Sequence, residues 1–197
     1  MKPLITPKRP WLPLTTPRLI LREFREADLA DIHRYGSDPK VSRFMTWGPN
    51  TEDETRAFLD RMLAQQSIWP RPEVSMGAEI IATGRVMGAL SLRMLDPQNR
   101  TAEFGYSLGR EHWGQGYATE AAGALIRHAF QVLGLRRVVA NCNVRNIGSW
   151  RVMEKLGMRR EALFRQDVRA RRGWRDSCHY GLLAAEWRAR NSTEGAS

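Results

Sequence analysis

Residues 101–133 read TAEFGYSLGREHWGQGYATEAAGALIRHAFQVL. An apolar, aromatic-bearing run at 101–108 predicts a strand. It passes through GREH into the glycine loop WGQGYA at 113–118. A helix pattern follows at once over 116–133, with Ala121, Ala122, Leu125, Ile126, Ala129, Phe130 and Leu133 on one face and Gly134 as its C′ stop. Glycines just before a helix let backbone N–H groups approach an anion closely. The helix N-terminus adds unpaired donors and the positive end of its dipole. The pattern suits a pyrophosphate.

Upstream of this stretch, 1–13 is a Pro-rich extended arm, and a first strand is expected at 18–23. Helical spacing over 26–35 stops at Asp38-Pro39, and 44–50 (FMTWGPN) reads as a loop. Thr51 with Glu54 three residues on is a capping box that opens a helix to about Gln66. Strands are expected at 74–82 and 86–95 around Thr83-Gly84, so 101–108 is the fourth expected strand. Downstream, a strand at 136–143, a short helix capped by Asn146 and stopped at Gly157, and two strands at 159–170 and 174–183 complete a domain over 14–187. A polar, fraying tail is expected at 188–197. Strands interleaved with helices and a three-strand meander imply one α/β domain with a mixed, mostly antiparallel sheet flanked by helices.

At 197 residues, 42% hydrophobic and 26% charged, the chain suits one globular domain and excludes general disorder. Its net charge of +10 favours anionic partners without choosing among nucleic acid, a phosphorylated cofactor and an anionic surface. Cys142 and Cys178 form no C-x-x-C, so no structural zinc site is expected. With no signal-peptide pattern, reduced thiols and a cytoplasmic location are expected. No apolar run approaches the ~20 residues that span a bilayer.

The glycine loop lacks the lysine and spacing of a P-loop. It also lacks the third glycine of a dinucleotide fingerprint, and it follows the fourth expected strand rather than the first. The element order, this loop, and NIGSWRVMEKLGM at 146–158 together resemble the GNAT superfamily of acetyl-CoA-dependent N-acetyltransferases. Gly116 and Ala118 match the small positions of that family's loop, and Trp113 stands where a Gln or Arg is usual. The aromatic resembles the Rim-type branch, which acetylates ribosomal proteins. So do LTTPRLILR at 14–22, WGPNT at 47–51 and GWRD at 173–176. The resemblance covers about residues 14–187.

The resemblance implies acetyl-CoA as co-substrate, without a metal. Its pyrophosphate would be held by the loop amides of Trp113, Gly114, Gln115, Gly116, Tyr117, Ala118 and Thr119. Its pantetheine arm would lie along Tyr106, Ser107 and Leu108, where two strands splay. The Leu108 N–H is the candidate oxyanion donor. Glu103, a lone carboxylate in an apolar strand run, is the candidate general base, its pKa raised by an apolar cleft; the alternative is an outward-facing carboxylate on a solvent face. Ser149 is the candidate proton donor to the leaving thiolate, since Met153 stands where many relatives carry a Tyr. Asn146 would bond the pantetheine amide. The plain alternative makes Asn146 an N-cap and Ser149 an N3 residue, and both descriptions are compatible. Tyr106 and Tyr180 are secondary candidates. No G-x-S-x-G elbow is present, and Cys142 reads as buried, so direct attack in a ternary complex is expected.

The Rim-type likeness implies a protein N-terminal α-amine as acceptor, on a ribosomal protein. Competing readings are a small amine (aminoglycoside, polyamine or amino acid) and a non-catalytic basic nucleic-acid-binding protein. The loop at 44–50 is expected to wall the acceptor pocket. The seven arginines within 159–175 form a basic hairpin that offers weak RNA contact or a solvated face. A monomer or homodimer is expected.

Overall fold

The computed structural model describes residues 12–68, 70–170 and 173–194. Along them run β1 (Leu14–Thr15), β2 (Leu19–Arg22), α1 (Leu29–Gly36), α2 (Pro39–Ser42), α3 (Glu52–Gln66), β3 (Glu73–Ile80), β4 (Val86–Asp96) and β5 (Thr101–Leu108). Then come α4 (Tyr117–Gln131), β6 (Arg137–Asn143), α5 (Ile147–Lys155), β7 (Arg159–Ala170), β8 (Gly173–Leu183) and α6 (Ala184–Glu194). The strands form one sheet in the order β1-β2-β3-β4-β5-β6-β8-β7. Every pairing is antiparallel except β5 with β6, which α4 connects as the crossover that a parallel pair requires.

Local chemistry sets most boundaries. The Thr51 hydroxyl accepts from the Glu54 N–H and the Glu54 carboxylate accepts from the Thr51 N–H, so the capping box forms as read. Gly84 sits at φ +66 in the β3–β4 turn, a conformation other residues reach only with strain. Apolar residues of α4 (Ala121, Ala122, Leu125, Ile126, Ala129, Phe130) pack on the sheet with Leu90, Leu92, Phe104 and Val138. On β4 the successive residues Val86 and Met87 belong to different clusters. Val86 joins Phe24, Ile32, Tyr35 and Leu59 beneath α1 and α3. Strand alternation thus feeds a core on each face of the sheet.

Three differences from the sequence reading stand out. A two-residue strand, β1, precedes the first expected strand and pairs with it. Asp38-Pro39 follows the end of α1, as expected, and also starts a short helix: the Asp38 side chain accepts from the Lys40 N–H, and Pro39 takes the first helical position, where it lacks only a dispensable donor. Residues 188–194, read as a polar tail, continue helix α6, which Trp187 anchors on Phe130 with ring centroids 5.7 Å apart. Of the N-terminal arm, residues 1–11 lie outside the described residues, as do Arg171 and Arg172 of the basic hairpin.

Candidate active site

The site begins with an interrupted sheet. β4 pairs with β5 along its whole length, from Gly88 opposite Leu108 to Asp96 opposite Thr101. β6 pairs with β5 only from Thr101 opposite Arg137 to Glu103 opposite Val139. Beyond that point the strands diverge and leave a notch beside residues 104–108. The Gly109 N–H donates to Met87 O, which fixes the alternation: Ser107 exchanges bonds with Ala89, whereas Tyr106 and Leu108 turn their backbone groups toward the notch. The Leu108 carbonyl accepts from Trp113 Nε1 at 2.9 Å, and its N–H points the same way, into the open gap. Of the three residues expected to lay main-chain groups along a bound arm, Tyr106 and Leu108 are placed to do so. Ser107 has its backbone committed to β4.

At the end of β5 the glycine loop forms a cradle. Gly116 is the N-cap of α4 at φ +82, and Gly114 lies at φ +73. These left-handed positions turn the chain so that the amides of Tyr117, Ala118 and Thr119, which have no acceptor within the helix, open outward. The cradle is tied down from below. Glu120 accepts from the Thr16 hydroxyl at 2.6 Å and from the Arg18 Nε at 2.6 Å. Arg18 also donates to the Gln115 carbonyl at 3.1 Å and stacks 4.1 Å from the centre of the Tyr117 ring. Against the opposing pull of burial, the hydrogen bond from Thr16 and then those from Arg18 with its charge hold the Glu120 carboxyl below its usual range. The Gln115 side chain turns back and donates to the Glu111 carbonyl. Open glycine amides, a helix N-terminus and an anchored base fit a diphosphate.

On the other side of β5 lies a cavity of about 720 Å³. Phe44, Met45, Thr46, Trp47, Gly48 and Asn50 line it, so the loop at 44–50 walls it as expected. The residues of the phosphate cradle do not. Cavity and notch meet at Tyr106, Ser107, Asn146 and Ser149.

Glu103 lines this cavity, with its side chain 19% exposed; it is not on an outer solvent face. Its surroundings differ from the apolar cleft the sequence suggests. Arg93, its cross-strand partner on β4, reaches one carboxylate oxygen at 2.5 Å, and the Asn141 amide on β6 reaches the other at 2.5 Å. A charge-assisted pair of this kind orients the carboxylate.

α5 supplies the opposite wall. The Asn146 side chain accepts from the Ser149 N–H at 3.3 Å, so Asn146 is the N-cap and Ser149 the N3 residue. Ser149 Oγ lies 3.4 Å from the Tyr106 hydroxyl across the notch. Burial pushes the Tyr106 hydroxyl up to about 12, partly offset by the bond to Ser149. Burial and the adjacent Cys178 push the Cys142 thiol up to about 11, again partly offset by Ser149. A thiol held that high is a poor nucleophile at neutral pH. Met153 is buried beneath the same wall. Tyr180, by contrast, is packed into the core and bonds Arg160 and Glu154, away from the cavity.

Sequence reasoning passed over four residues of this site. Arg93 and Asn141 hold Glu103. Tyr35 and Arg175 line the cavity from α1 and β8. Arg93 had a signal: it stands at strand spacing in the run facing the Glu103 strand. The others depend on tertiary placement. Among the described residues no group of three or more His, Cys, Asp or Glu is placed to hold a metal, and no helix is long and apolar enough to cross a membrane.

Comparison with known proteins meets this geometry. A family model described as "Acetyltransferase (GNAT) domain" matches residues 18–159. The uncharacterized N-acetyltransferase YnaD of Bacillus subtilis is 31% identical over 174 residues, covering 88% of this chain and 98% of that protein. The ribosomal-protein-serine acetyltransferase of Escherichia coli is 38% identical over 87 residues, covering 44% of this chain and 49% of that protein. A GNAT-family acetyltransferase structure from Bacillus anthracis superposes with a TM-score of 0.78 at 29% identity, covering 88% of this chain and 99% of that one. Acetyl-CoA is the acetyl donor throughout the family. The chain belongs to the GNAT acetyltransferase family and is an N-acetyltransferase.

Proposed function

We propose that this enzyme acetylates a protein N-terminal α-amine, of the kind presented by a ribosomal protein, in the Rim-type branch of the family and in the cytoplasm. The observation that carries the reading is the acceptor cavity. Its volume of about 720 Å³ takes in the space beside Tyr106, Asn146 and Ser149 for the end of the pantetheine arm and the space walled by residues 44–50 for a peptide end. Its wall is balanced in charge, with Glu54, Glu73 and Glu103 against Arg61, Arg93 and Arg175. A polyamine or aminoglycoside would call for an excess of carboxylates. The partial likeness to the Escherichia coli ribosomal-protein-serine acetyltransferase supports the same choice.

Bound acetyl-CoA supplies an activated acetyl thioester. The Trp113 N–H, expected to join the cradle, is instead committed to the Arg110 carbonyl, so the amides of residues 114–119 would hold its diphosphate, and Tyr106, Leu108 and Asn146 its pantetheine arm. The Leu108 N–H, aimed into the notch, would donate to the oxyanion that forms as the amine attacks the thioester carbonyl. Glu103 accepts the amine's proton, directly or through water, and Arg93 and Asn141 hold it in place for that. An α-amine, with a pKa near 8, needs only such a mild base. Ser149, backed by the Tyr106 hydroxyl, returns a proton to the departing thiolate. Attack is direct, because the one thiol in the cavity wall, Cys142, is held protonated.

The test is a panel of N-terminal peptides, polyamines, aminoglycosides and amino acids with acetyl-CoA, followed by free-thiol release. Release with peptides and acetyl on the α-nitrogen is expected. Turnover with small amines alone would overturn the acceptor assignment.

A further inference from the structure

The cavity wall contains a cation with no carboxylate bonded to it among the described residues. Arg175, on β8, lines the cavity beside Cys142 and Asn143. One of its terminal nitrogens donates to the Phe44 carbonyl and fixes the side chain against the loop at 44–50. Its Nε is buried and has no hydrogen-bond partner. Asp167 is near enough to favour the charged form but bonds the Ser177 hydroxyl at 2.5 Å and approaches His179 at 3.5 Å instead. Burial draws the Arg175 pKa down, and a guanidinium nonetheless stays charged at neutral pH.

The neighbouring charges are accounted for differently. Arg93 is neutralised by Glu103. Arg61 is exposed to solvent on α3. A half-buried guanidinium with no carboxylate bonded to it, and with its Nε shut away from water, is costly to keep, and its place in a ligand cavity is explained by a ligand that brings the opposite charge. A second group points the same way. Tyr35, 5% exposed and part of the same wall, has a buried hydroxyl with no hydrogen-bond partner. Burial and the carboxylates of Asp28 and Asp31 hold that hydroxyl in its protonated, donating form. The diphosphate of acetyl-CoA is not the missing anion, because the cradle lies outside this cavity.

We infer that Arg175 is a specificity residue that receives a carboxylate of the acceptor, so the acetylated amine belongs to a molecule that carries an acidic group a short reach from its amino nitrogen. Glu103 takes the amine end and Arg175 the acid end. In a peptide the acid would be an Asp or Glu side chain close behind the N-terminus; in a free amino acid it would be the side-chain carboxylate. This rests on the proposed acceptor reading, which it sharpens from an N-terminal amine to one with a nearby carboxylate.

The experiment compares kcat/KM for matched peptides that differ only in Glu against Gln at the second, third and fourth positions, with free glutamate and glutamine as a separate arm. Fully desolvated, charge-assisted recognition predicts a preference for the acidic member of about tenfold to a hundredfold at one position. That preference should disappear in Arg175→Met and survive in weakened form in Arg175→Lys, with folding of each variant verified by circular dichroism and coenzyme A titration. Discrimination confined to the amino acids would assign the carboxylate to a small acceptor and keep the role of Arg175. Equal rates for acidic and neutral peptides and amino acids in the wild-type enzyme would overturn the inference and leave N-terminal acetylation standing. The wild-type comparison decides the matter even if neither variant folds. Transfer to polyamines alone would overturn both readings.

Discussion

The Tyr106 hydroxyl lies 3.4 Å from Ser149 Oγ, so the free end of β5 is tied to the first turn of α5 across the mouth of the notch. The two residues come from different elements 43 positions apart, and the bond places a weakly acidic hydroxyl behind an alcohol. Ser149→Ala should lower kcat by about a hundredfold, the lower range for a lost general acid, while acetyl-CoA still binds. Tyr106→Phe should lower it by less, because Ser149 keeps its place through the Asn146 cap. Steady-state kinetics beside calorimetric coenzyme A titration separates the two effects.

Glu103→Gln keeps the shape of the side chain and removes the base. Turnover should fall by about a hundredfold with coenzyme A affinity retained, since Glu103 is on the cavity side of β5. Unchanged turnover would remove Glu103 from the mechanism. Arg93→Ala should show a milder loss, as Asn141 still orients the carboxylate.

The pH dependence has a definite sign. Both Tyr106 and Cys142 have pKa values raised above their ordinary 10.0 and 9.0, so the folded state favours their protonated forms. Their contribution to stability is full below the ordinary values and is lost as pH rises through about 11 for Cys142 and about 12 for Tyr106. Thermal midpoints should therefore be insensitive to these groups at neutral pH and decline above pH 9. Cys142→Ala should flatten the decline between 9 and 11 in a melting series.

Two glycines carry the backbone geometry. Gly116→Ala places a side chain at φ +82, at a strain of about 1–2 kcal/mol. It should weaken coenzyme A binding more than it lowers the melting temperature. A methyl at Gly88 would run into the Ser107 carbonyl and the Leu108 side chain. Gly88→Ala should cost about 1–3 kcal/mol in a denaturant titration and also displace the residues that border the notch.

Much of this arrangement is legible along the chain because local rules dominate where it matters. Thr101–Leu108 has its expected bounds, and α4 follows from glycine punctuation and one apolar face. Asn146 and Ser149 take the cap and N3 places their spacing implies. The exceptions have tertiary causes. α6 looks like a polar tail because one aromatic, Trp187, supplies its anchor, and that anchor is Phe130 on a distant helix. β1 is two residues long, too short for a period. The environment of Glu103 is not legible along the chain, because an apolar neighbourhood along a strand says nothing of the strand opposite, where Arg93 sits in register. Arg175 stands in the quoted GWRD run and Tyr35 on a helical face, but their place in the cavity, with the Arg175 Nε and the Tyr35 hydroxyl buried and unbonded among the described residues, is a property of the fold.

The central claim is that the open side of β5 and the amide cradle of α4 form one seat for coenzyme A. Hydrogen exchange of backbone amides, with and without coenzyme A, tests it most directly. Added coenzyme A should slow exchange in peptides spanning residues 104–108 and 113–119 together, and leave β7 unchanged. Slowing confined to other segments, or none at saturating coenzyme A, would contradict the account.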